Sequence, residues 1–401
     1  MRILVADEFS KQKLEELRGL GLTVDYRPEL KADDLPQAAA EAAILVVRST
    51  EVKRDVFTRA NALSLVIRAG AGVNTIDVKA ASEHGVYVAN CPGQNAIAVA
   101  ELSFGLILAL DRHLAACDST LKSGKWNKKK FSEARGLYGR TLGIVGVGSI
   151  GTAVGMRGLA FGMRVVAWSR SFSSGRAKSL GFEKAESLMA LAREADVLSV
   201  HVPANAESKG LISRQVLAAL PSGATFINTS RADVVDQTAL LDEAKSGRLN
   251  VGLDVFDNEP KGGTADFDSE LAKLPNVVGS HHIGASTEQA QEAIATEAVR
   301  IVASFLSEGV VPNCVNVAKK TPARWQLIVR HHDRVGVLAN VLGAVREAGI
   351  NAQEIENTVF EGASAACCKI QLDSKPPDEV LTSIRGRTNE IIFADLVELR
   401  P

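Results

Sequence analysis

TLGIVGVGSIG, residues 141–151, is an apolar run that enters a glycine-rich turn. It predicts a buried strand, a tight turn and a helix whose N-terminus receives phosphate groups. Gly146 permits the turn, Gly148 lets backbone N–H groups approach a pyrophosphate, and Gly151 lets the helix pack closely on the strand. A helix over 152–161 and a strand over 163–168 complete a βαβ unit. The stretch therefore predicts a dinucleotide site that includes Gly146, Gly148, Ser149, Ile150 and Gly151.

The segment after that second strand decides which dinucleotide is expected. An NAD site usually has Asp or Glu about 20 residues beyond the glycines, where the acid binds the ribose hydroxyls. Here VVAWSRS places Ser169 and Arg170 at that position. A guanidinium can hold a 2′-phosphate, whereas a carboxylate would repel it. The sequence therefore predicts NAD or NADP as the cofactor and predicts that NADP(H) is accepted. The alternative is that Arg170 points into solvent and that NAD is strongly preferred.

Length and composition restrict the class of protein. A chain of 401 residues is too long for one hydrophobic core and predicts two or three domains. A formal net charge of −1 gives no overall attraction to nucleic acid or to an anionic membrane, so small-molecule partners are expected. The most apolar run, 96–110, is interrupted by Glu101 and Ser103, which argues against a membrane span. The start MRILVADEF does not resemble a signal peptide, and five scattered cysteines without metal-ligand spacing fit a reducing cytoplasm.

Short apolar runs alternate with helical patterns over most of the chain, which predicts parallel sheets with helices on both faces. Two long helical segments, 95–121 and 286–306, are core helices, subunit contacts or, as we favour, two crossings between a small lobe and a nucleotide lobe. We expect a substrate-binding domain over 1–95, completed by 286–315, and a dinucleotide-binding domain over 96–285. The expected fold class is α/β, with flavodoxin-like and Rossmann doubly wound lobes. Strands are predicted at 2–6, 23–26, 44–48, 65–68, 86–89, 197–200, 225–228, 251–254 and 277–280, and helices at 11–18 and 33–42.

Three polar residues each follow a predicted strand of the nucleotide lobe. They are Arg231, Glu259 and His282, after the strands that end at 228, 254 and 280. The carboxyl ends of strands in a doubly wound sheet form the ligand site, so the three side chains should gather there. An arginine can hold a carboxylate at two points, a histidine can exchange a proton near neutral pH, and an adjacent carboxylate favours the imidazolium. With a nicotinamide they predict hydride transfer between a 2-hydroxy acid and a 2-keto acid, although a lone Arg or Glu in a loop is usually only solvated.

These residues stand in motifs that resemble the D-isomer-specific 2-hydroxyacid dehydrogenases. The resemblance extends over roughly residues 1–315. It implies that Arg231 grips the substrate carboxylate and carbonyl, that His282 is the general acid/base and that Glu259 supports His282. Two positions depart from the family pattern, since His281 replaces the usual proline and Asn74 replaces a frequent aspartate. The matching stretches are RAGAGVNTID (68–77), GVGSIG (146–151), HVPANAESKG (201–210), INTSRADVVD (227–236), GLDVFDNEP (252–260) and HHIGAST (281–287).

The same resemblance assigns further binding residues. It implies that His201 and Pro203 lie beside the cofactor and that Asp254 contacts the nicotinamide amide. It also implies that the backbone around Ala71 and Gly72 contacts the substrate carboxylate.

Within the family, the chain is most similar to members that act on a phosphorylated hydroxy acid. VVRSTEVKRDVF places Arg48 at the phosphate-binding arginine of that subgroup, and SGKWNKKKF places residues 128–130 where basic residues reach a neighbouring subunit's site. Such a substrate carries about three negative charges and needs more cations than Arg231 alone. Arg48, Arg68 and Lys129 are the candidates, although the lysine run is equally well explained as a solvated loop.

The C-terminal residues form a separate pattern. A polar, basic stretch around 316–324 predicts a linker, and 325–401 predicts the β-α-β-β-α-β order of a ferredoxin-like α+β domain. HHDRVGVLANVLGAVREAGIN (331–351) resembles an ACT domain, a module that senses amino acids. The resemblance implies that His331, Asp333 and Asn351 bind L-serine between two such modules. The alternative is a purely structural module in which Asp333 caps the helix that follows.

The sequence thus predicts a cytoplasmic NAD(P)-dependent D-2-hydroxyacid dehydrogenase that assembles as a homodimer or homotetramer. One alternative is a glyoxylate or hydroxypyruvate reductase, which acts on an unphosphorylated substrate. The other is a nicotinamide-sensing interaction protein of the same fold, since such relatives can keep Arg231, Glu259 and His282.

Overall fold

The computed structural model describes residues 1–260, 264–318 and 321–399. The chain forms two compact units, Met1–Asn316 and a second that begins at Val317. The first unit contains two parallel sheets, and the second contains one antiparallel sheet. The predicted linker around 316–324 lies partly outside the described residues. The division of the first unit into a substrate-binding and a dinucleotide-binding domain stays a prediction.

The first sheet consists of five short parallel strands connected by helices: β1 (Arg2–Val5), α1 (Lys11–Gly19), β2 (Thr23–Tyr26), α2 (Leu35–Ala38), β3 (Ile44–Val47), α3 (Arg54–Arg59), β4 (Leu65–Arg68), α4 (Val78–Glu83) and β5 (Tyr87–Asn90). The strand order β2-β1-β3-β4-β5 is the flavodoxin-like order that was predicted. All four residues of β3 are buried, because helices cover both faces of the sheet.

Two of the predicted helices differ from the structure. The segment 95–121 is not one helix but two, α5 (Ala96–Asp111) and α6 (Leu114–Lys122), separated by His113 in a left-handed conformation with φ of 52°. Nine residues of α5 are buried and none of α6, so the chain leaves the core at this break. The helix predicted over 33–42 is only the four-residue α2, because a turn from Ala39 to Ala42 leads directly into β3.

The second sheet has seven parallel strands in the order β8-β7-β6-β9-β10-β11-β12. The chain order reverses between β6 and β9, and ligands bind at such a switch point, outside the carboxyl ends of the strands. This is the predicted Rossmann arrangement. Its elements are β6 (Thr141–Val145), α7 (Ser149–Ala160), β7 (Arg164–Trp168), α8 (Ser174–Leu180), β8 (Glu183–Lys184), α9 (Leu188–Glu194), β9 (Val197–Val200), α10 (Arg214–Ala219), β10 (Ala224–Asn228), α11 (Gln237–Lys245), β11 (Leu249–Leu253) and β12 (Val277–Gly279).

A long helix returns the chain from the second sheet to the first. This helix, α12 (Glu288–Glu308), is amphipathic and packs Ile294, Ala298 and Ile301 into the core of the first sheet. Cys314 then forms an isolated bridge with Ala89 of β5. The segment 286–306 therefore makes the return crossing that was favoured from the sequence.

The second unit has the ferredoxin-like fold that was predicted. Its elements are β13 (Trp325–His332), α13 (Val337–Glu347), β14 (Ala352–Val359), β15 (Ala365–Leu372), α14 (Asp378–Arg385) and β16 (Ile391–Glu398). The strands pair antiparallel in the order β14-β15-β13-β16. Alternate residues of β13, Leu327 and Val329, are buried in a core with Val341 and Val345 of α13.

Among the residues that the structure describes, no helix has the length and apolar composition needed to span a bilayer.

Candidate active site

The three candidate catalytic residues follow neighbouring strands of the second sheet. Arg231 follows β10, Glu259 follows β11 and His282 follows β12. The ends of these strands adjoin: Asp254 N–H donates to Asn228 O and Ser280 N–H donates to Leu253 O. The three loops therefore lie next to one another at the same edge of the sheet, as the alternation of strands and helices predicted.

Glu259 and His282 form a hydrogen-bonded pair. His282 Nδ1 lies 2.7 Å from Glu259 Oε2, and the N–H of Phe256 donates to Glu259 Oε1 at 2.7 Å. The contact with Glu259 holds the Nδ1 side of the ring and leaves Nε2 to face a ligand. The His282 side chain is 45% exposed, so a ligand in the crevice can reach it.

The charge state of Glu259 suits this role. Burial by itself raises the pKa of Glu259, but the hydrogen bonds from His282 and from the Phe256 N–H, with the charges of His282 and Arg231, lower it below its usual value. Glu259 is therefore a carboxylate at neutral pH. A carboxylate in this position stabilises the imidazolium that forms when His282 takes up a proton.

Asp254 organises the loop that carries His282. Its side chain is buried, and Oδ1 accepts hydrogen bonds from Ser280 Oγ at 2.6 Å and from the Ile283 N–H at 2.9 Å. Oδ2 accepts the Gly284 N–H at 2.8 Å. The resemblance implied a contact between Asp254 and the nicotinamide amide, whereas its contacts within the chain flank His282 on both sides. The cofactor role of Asp254 stays a prediction.

Three arginines form a cationic cluster near this pair. The pKa of Arg68 is lowered, first by burial and then by the positive charges of Arg231 and Arg48. Arg68 Nε is buried and has no hydrogen-bond partner among the described residues. A buried guanidinium nitrogen without a partner, next to two further cations, is typical of a site that binds an anion.

Two glycines of the 68–77 stretch let these arginines approach the backbone. A Cβ at Gly70 would lie 1.4 Å from Arg68 Nη1, and a Cβ at Gly72 would lie 3.3 Å from Arg231 Nη2. The Asn90 side chain donates to Ala71 O at 2.6 Å and holds this strip in place. The structure thus brings Gly70 beside Arg68 and Gly72 beside Arg231. The contact of the backbone around Ala71 and Gly72 with a substrate carboxylate stays a prediction.

Lys129 is not brought to this cluster within one copy of the chain. It is exposed, in a turn whose hydrogen bonds are local: the Lys130 N–H donates to Asn127 and Ser132 donates to Lys128 O. The same segment lines a small cavity of about 210 Å³ next to Cys117 of α6. A role of Lys129 in a neighbouring subunit's site stays a prediction.

A larger cavity of about 350 Å³ lies at the carboxyl ends of β6, β7 and β9. Most of the predicted cofactor residues line it, and ten further lining residues were not predicted from the sequence. The predicted residues in its wall are Gly146, Gly148, Ser169, Arg170, His201 and Pro203, and those not predicted include Arg176, Asn205, Glu207 and Ser208.

Ser149, Ile150 and Gly151 form the first turn of α7, beside the same cavity. A Cβ at Gly151 would lie 1.9 Å from Gly146 O, so the third glycine is needed for the helix to pack against the turn. Gly146 itself has a φ of 94°, and a Cβ there would lie 2.5 Å from His201 O. These contacts explain the first and third glycines of the motif.

The cavity fits a dinucleotide. An added Cβ at Gly148 would meet nothing within 4 Å, so space is open where phosphates approach, and α7 starts after Gly148 without a side-chain cap. Its first N–H groups are therefore free for phosphate oxygens. His201 Nε2 hydrogen-bonds Ser199 Oγ at 2.8 Å, but its buried Nδ1 has no partner within the described chain. Burial lowers the pKa of His201 to about 3, so the ring is neutral.

The predicted effector residues lie at opposite ends of the antiparallel sheet. His331 is near the end of β13, and Asn351 precedes β14. Ala352 of β14 has the same partner, Leu372, as Trp325 at the start of β13. Six strand residues, about 20 Å, therefore separate His331 from Asn351 within one copy. A site that uses both needs two modules, and its existence stays a prediction.

His331 and Asp333 have contacts of their own. His331 is buried, with Nδ1 2.8 Å from His332 O and Nε2 3.2 Å from Asn357 Oδ1. Asp333 is exposed, and α13 begins after Gly336 without a side-chain cap. The alternative interpretation of Asp333 as a helix cap is therefore wrong, because three residues separate it from the first turn.

Comparisons with known proteins agree with this geometry. Residues 104–284 match the family model described as D-isomer specific 2-hydroxyacid dehydrogenase, NAD binding domain. D-3-phosphoglycerate dehydrogenase of Methanocaldococcus jannaschii is 34% identical over 357 residues, which are 88% of this chain and 67% of that protein. Hydroxypyruvate reductase of Thermotoga maritima is 38% identical over 300 residues, which are 74% of this chain and 96% of that protein. The TT0316 protein of Thermus thermophilus, a solved structure, is similar with a TM-score of 0.70 and 34% identity, over 79% of this chain and all of that one.

The chain belongs to the D-isomer-specific 2-hydroxyacid dehydrogenases. It is therefore an NAD(P)-dependent oxidoreductase with a small hydroxy acid as its substrate. Its resemblance to this family, first drawn from six short motifs, is confirmed.

Proposed function

We propose that the chain oxidises 3-phosphoglycerate at carbon 2 to 3-phosphohydroxypyruvate, which is the first step of L-serine synthesis. The observation that carries this proposal is the proximity of Arg68 to both Arg231 and Arg48, whose positive charges lower the pKa of Arg68. Arg231 also acts on Glu259 of the Glu259–His282 pair, so three neighbouring cations adjoin the candidate catalytic residues. An unphosphorylated hydroxy acid has one carboxylate and needs one such cation.

The extent of the sequence similarity supports the same choice. The alignment with the M. jannaschii D-3-phosphoglycerate dehydrogenase covers 357 residues, more than the 316 of the first unit, so it includes part of the second unit. The alignment with the T. maritima hydroxypyruvate reductase covers 300 residues and 96% of that protein. The second unit is therefore a feature shared with the former relative.

The residues have distinct roles in the proposed reaction. Arg231 holds the substrate carboxylate in a two-point contact, and Arg48 and Arg68 hold the phosphate. His282 Nε2 takes the proton of the carbon-2 hydroxyl, and Glu259 stabilises the resulting imidazolium. A bound nicotinamide supplies the acceptor for the hydride that leaves carbon 2. In the reverse direction His282 returns the proton to the carbonyl oxygen.

The cavity residues complete this assignment. The N–H groups at the start of α7, after Gly148, hold the pyrophosphate. His201 and Pro203 line the same cavity. The loops that carry Arg231 and His282 follow the same edge of the sheet, so a nicotinamide bound there would lie within their reach and would accept the hydride.

A substrate panel tests the proposal. Initial rates should be measured with 3-phosphoglycerate, glycerate and D-lactate in the oxidising direction, and with 3-phosphohydroxypyruvate, hydroxypyruvate and glyoxylate in the reducing direction. We expect kcat/KM to be highest for the phosphorylated pair.

Arg48→Ala should lower kcat/KM for 3-phosphoglycerate by about 10- to 100-fold and leave kcat/KM for glycerate little changed, because only 3-phosphoglycerate has a phosphate for Arg48 to bind. Arg59→Ala, an exposed arginine of α3, is the matched control. Equal losses on both substrates would favour the reductase alternative.

The second unit is proposed to bind L-serine between two copies and to link subunits into a homodimer or homotetramer. His331 and Asn351 at opposite ends of one sheet support this, since two modules placed side by side in opposite directions would unite them. We also propose a cytoplasmic location. All five cysteines are unpaired, which fits a reducing compartment.

A further inference from the structure

We propose that Glu207 sets the cofactor preference of this enzyme: by pairing with Arg170 it favours NAD(H) over NADP(H). The two residues stand in different walls of the cofactor cavity and form an ion pair across it. The inference concerns the cofactor alone and does not depend on which hydroxy acid is the substrate.

Arg170 occupies the position that decides cofactor choice. It follows β7 in the loop before α8, where the adenosine ribose of a dinucleotide lies in this fold. The sequence shows no acid in that loop, and this absence was the reason to expect NADP(H). The structure shows that an acid reaches Arg170 from the loop after β9, 37 residues further along the chain.

The backbone of that second loop is fixed independently of the ion pair. The Asn205 side-chain oxygen accepts the N–H groups of Glu207 and Ser208, each at 3.0 Å. This is a side-chain turn that orders the loop locally. Ser208 Oγ donates to Pro203 O at 2.5 Å and closes the loop. Glu207 is therefore presented to the cavity by its own loop, whether or not Arg170 is there.

The pair has opposite consequences for the two cofactors. A 2′-phosphate carries about −1.5 to −2 charges, so it would have to displace Glu207 from Arg170 and would then be repelled by the carboxylate. A 2′-hydroxyl, in contrast, can donate a hydrogen bond to that carboxylate. Glu207 thus supplies, from the loop after β9, the acid that NAD sites usually have at the end of the second strand.

Removal of Glu207 should shift the preference towards NADP(H), because the cavity would then present unpaired cations. Arg176, in the first turn of α8, lines the same cavity as Arg170. With Glu207 neutral, both guanidiniums can turn to a phosphate. Arg170 and Glu207 are both about two-thirds exposed, and exposed ion pairs are individually weak, so the effect is expected to be moderate.

The test is equilibrium binding of NADH and NADPH to the intact protein, followed by nicotinamide fluorescence without substrate. The wild type should bind NADH more tightly than NADPH. Glu207→Gln should shift the ratio of the two dissociation constants towards NADPH by about 2- to 5-fold, as expected for loss of one exposed charge close to a phosphate. Glu186→Gln removes the same charge from an exposed position outside the cavity lining and should leave the ratio unchanged.

A second pair of variants separates the ion pair from a general charge effect. Arg170→Gln combined with Glu207→Gln should abolish most of the gain in NADPH affinity, because Arg170 is the group that Glu207 releases. Glu207→Ala repeats the test should the glutamine variant fail to fold, as judged by its thermal melt. Tighter binding of NADPH than of NADH by the wild type would overturn the proposal. An unchanged ratio in Glu207→Gln would overturn it as well.

Discussion

His282 combines a strained backbone with a fixed ring. Its φ of 54° lies in the left-handed region, which is unfavourable for a residue with a Cβ by about 1–3 kcal/mol. Glu259 holds Nδ1 on one side of the ring, so Nε2 is the nitrogen that a substrate can reach. A strained residue held in this way beside an open crevice is typical of an active site.

Replacement of His282 tests the assignment of the proton exchanger. His282→Ala should lower kcat by about 10²- to 10⁴-fold, the usual contribution of general acid–base catalysis. Binding of the dinucleotide should be unchanged, since His282 is not among the residues that line the cofactor cavity. His281→Ala, the exposed neighbour, is the matched control and should keep near-normal turnover. Near-normal turnover of His282→Ala would remove the assignment.

Glu259 links the stability of the fold to pH. Although burial acts in the opposite direction, the hydrogen bonds from His282 and Phe256 depress its pKa in the folded state. A carboxyl group whose pKa is lower in the folded than in the unfolded state stabilises the fold at pH values above its unfolded-state pKa of about 4.3. This stabilisation is lost as pH falls through the folded-state pKa.

The free energy of unfolding of the wild type should therefore exceed that of Glu259→Gln at pH 7, and the difference between the two should narrow below about pH 4.3. Urea titrations at several pH values measure this, with Glu186→Gln as a control. A difference that stays constant down to about pH 3.5, below the unfolded value, would contradict the linkage.

The loop after β12 carries His282, the candidate general acid/base. The conformation of this loop needs contacts from outside it, because β12 has only three residues and His282 adopts a strained conformation. Asp254, at the end of the neighbouring strand, binds the loop on both sides of His282 through three hydrogen bonds. One buried carboxylate thus positions the loop that carries His282, the candidate catalytic histidine.

Asp254→Asn should loosen this loop. An amide nitrogen would replace one of the two carboxylate oxygens and face an N–H or O–H donor without a partner. The expected cost is about 1–3 kcal/mol of stability for a buried unsatisfied donor, together with a lower kcat. Thermal melting and initial rates measure the two effects. Ser280→Ala removes only the hydroxyl contact and should have the smaller effect on both. Full activity with unchanged melting would show that the loop keeps its shape without Asp254.

At the scale of the whole molecule, the candidate catalytic residues and the proposed serine-binding residues lie in separate units. The first unit holds both parallel sheets and every candidate catalytic residue, and the second has its own core around Val329 and Val341. The ferredoxin-like sheet has two edge strands of eight residues each, β14 and β16, and the side chains of β14 are mostly exposed. Such an edge can pair with another copy of the module.

Serine is therefore expected to act on the intact enzyme. Millimolar L-serine should lower the initial rate or raise the melting temperature, because a ligand that binds only the folded protein stabilises it. Asn351→Ala should weaken this response, whereas Asn389→Ala, at an exposed position elsewhere in the second unit, should leave it unchanged. Glycine and L-alanine are tested in parallel. If neither activity nor melting responds to any small amino acid, the module is left with a role in assembly alone.

The sequence by itself determined the order of the elements and the chemical class of the protein. Both depend on short-range patterns: the period of apolar residues along strands and helices, the three glycines between 146 and 151, and the residues that follow each strand. Because a doubly wound sheet gathers the carboxyl ends of its strands, these local patterns were sufficient to place Arg231, Glu259 and His282 in one site.

Only the tertiary structure decided the features that join distant parts of the chain. The break at His113 depends on where α5 leaves the core, and helix-forming residues occur on both sides of it. Asp254 accepts a hydrogen bond from Ser280 of the loop that carries His282, and these two residues are 26 positions apart. Arg170 pairs with Glu207, which is 37 positions further along the chain. A spacing along the sequence cannot predict such contacts, because they are set by which strand ends adjoin and by the direction in which their loops turn. The expectation of NADP(H) rested on the absence of an acid after β7, and the fold brings an acid there from another loop.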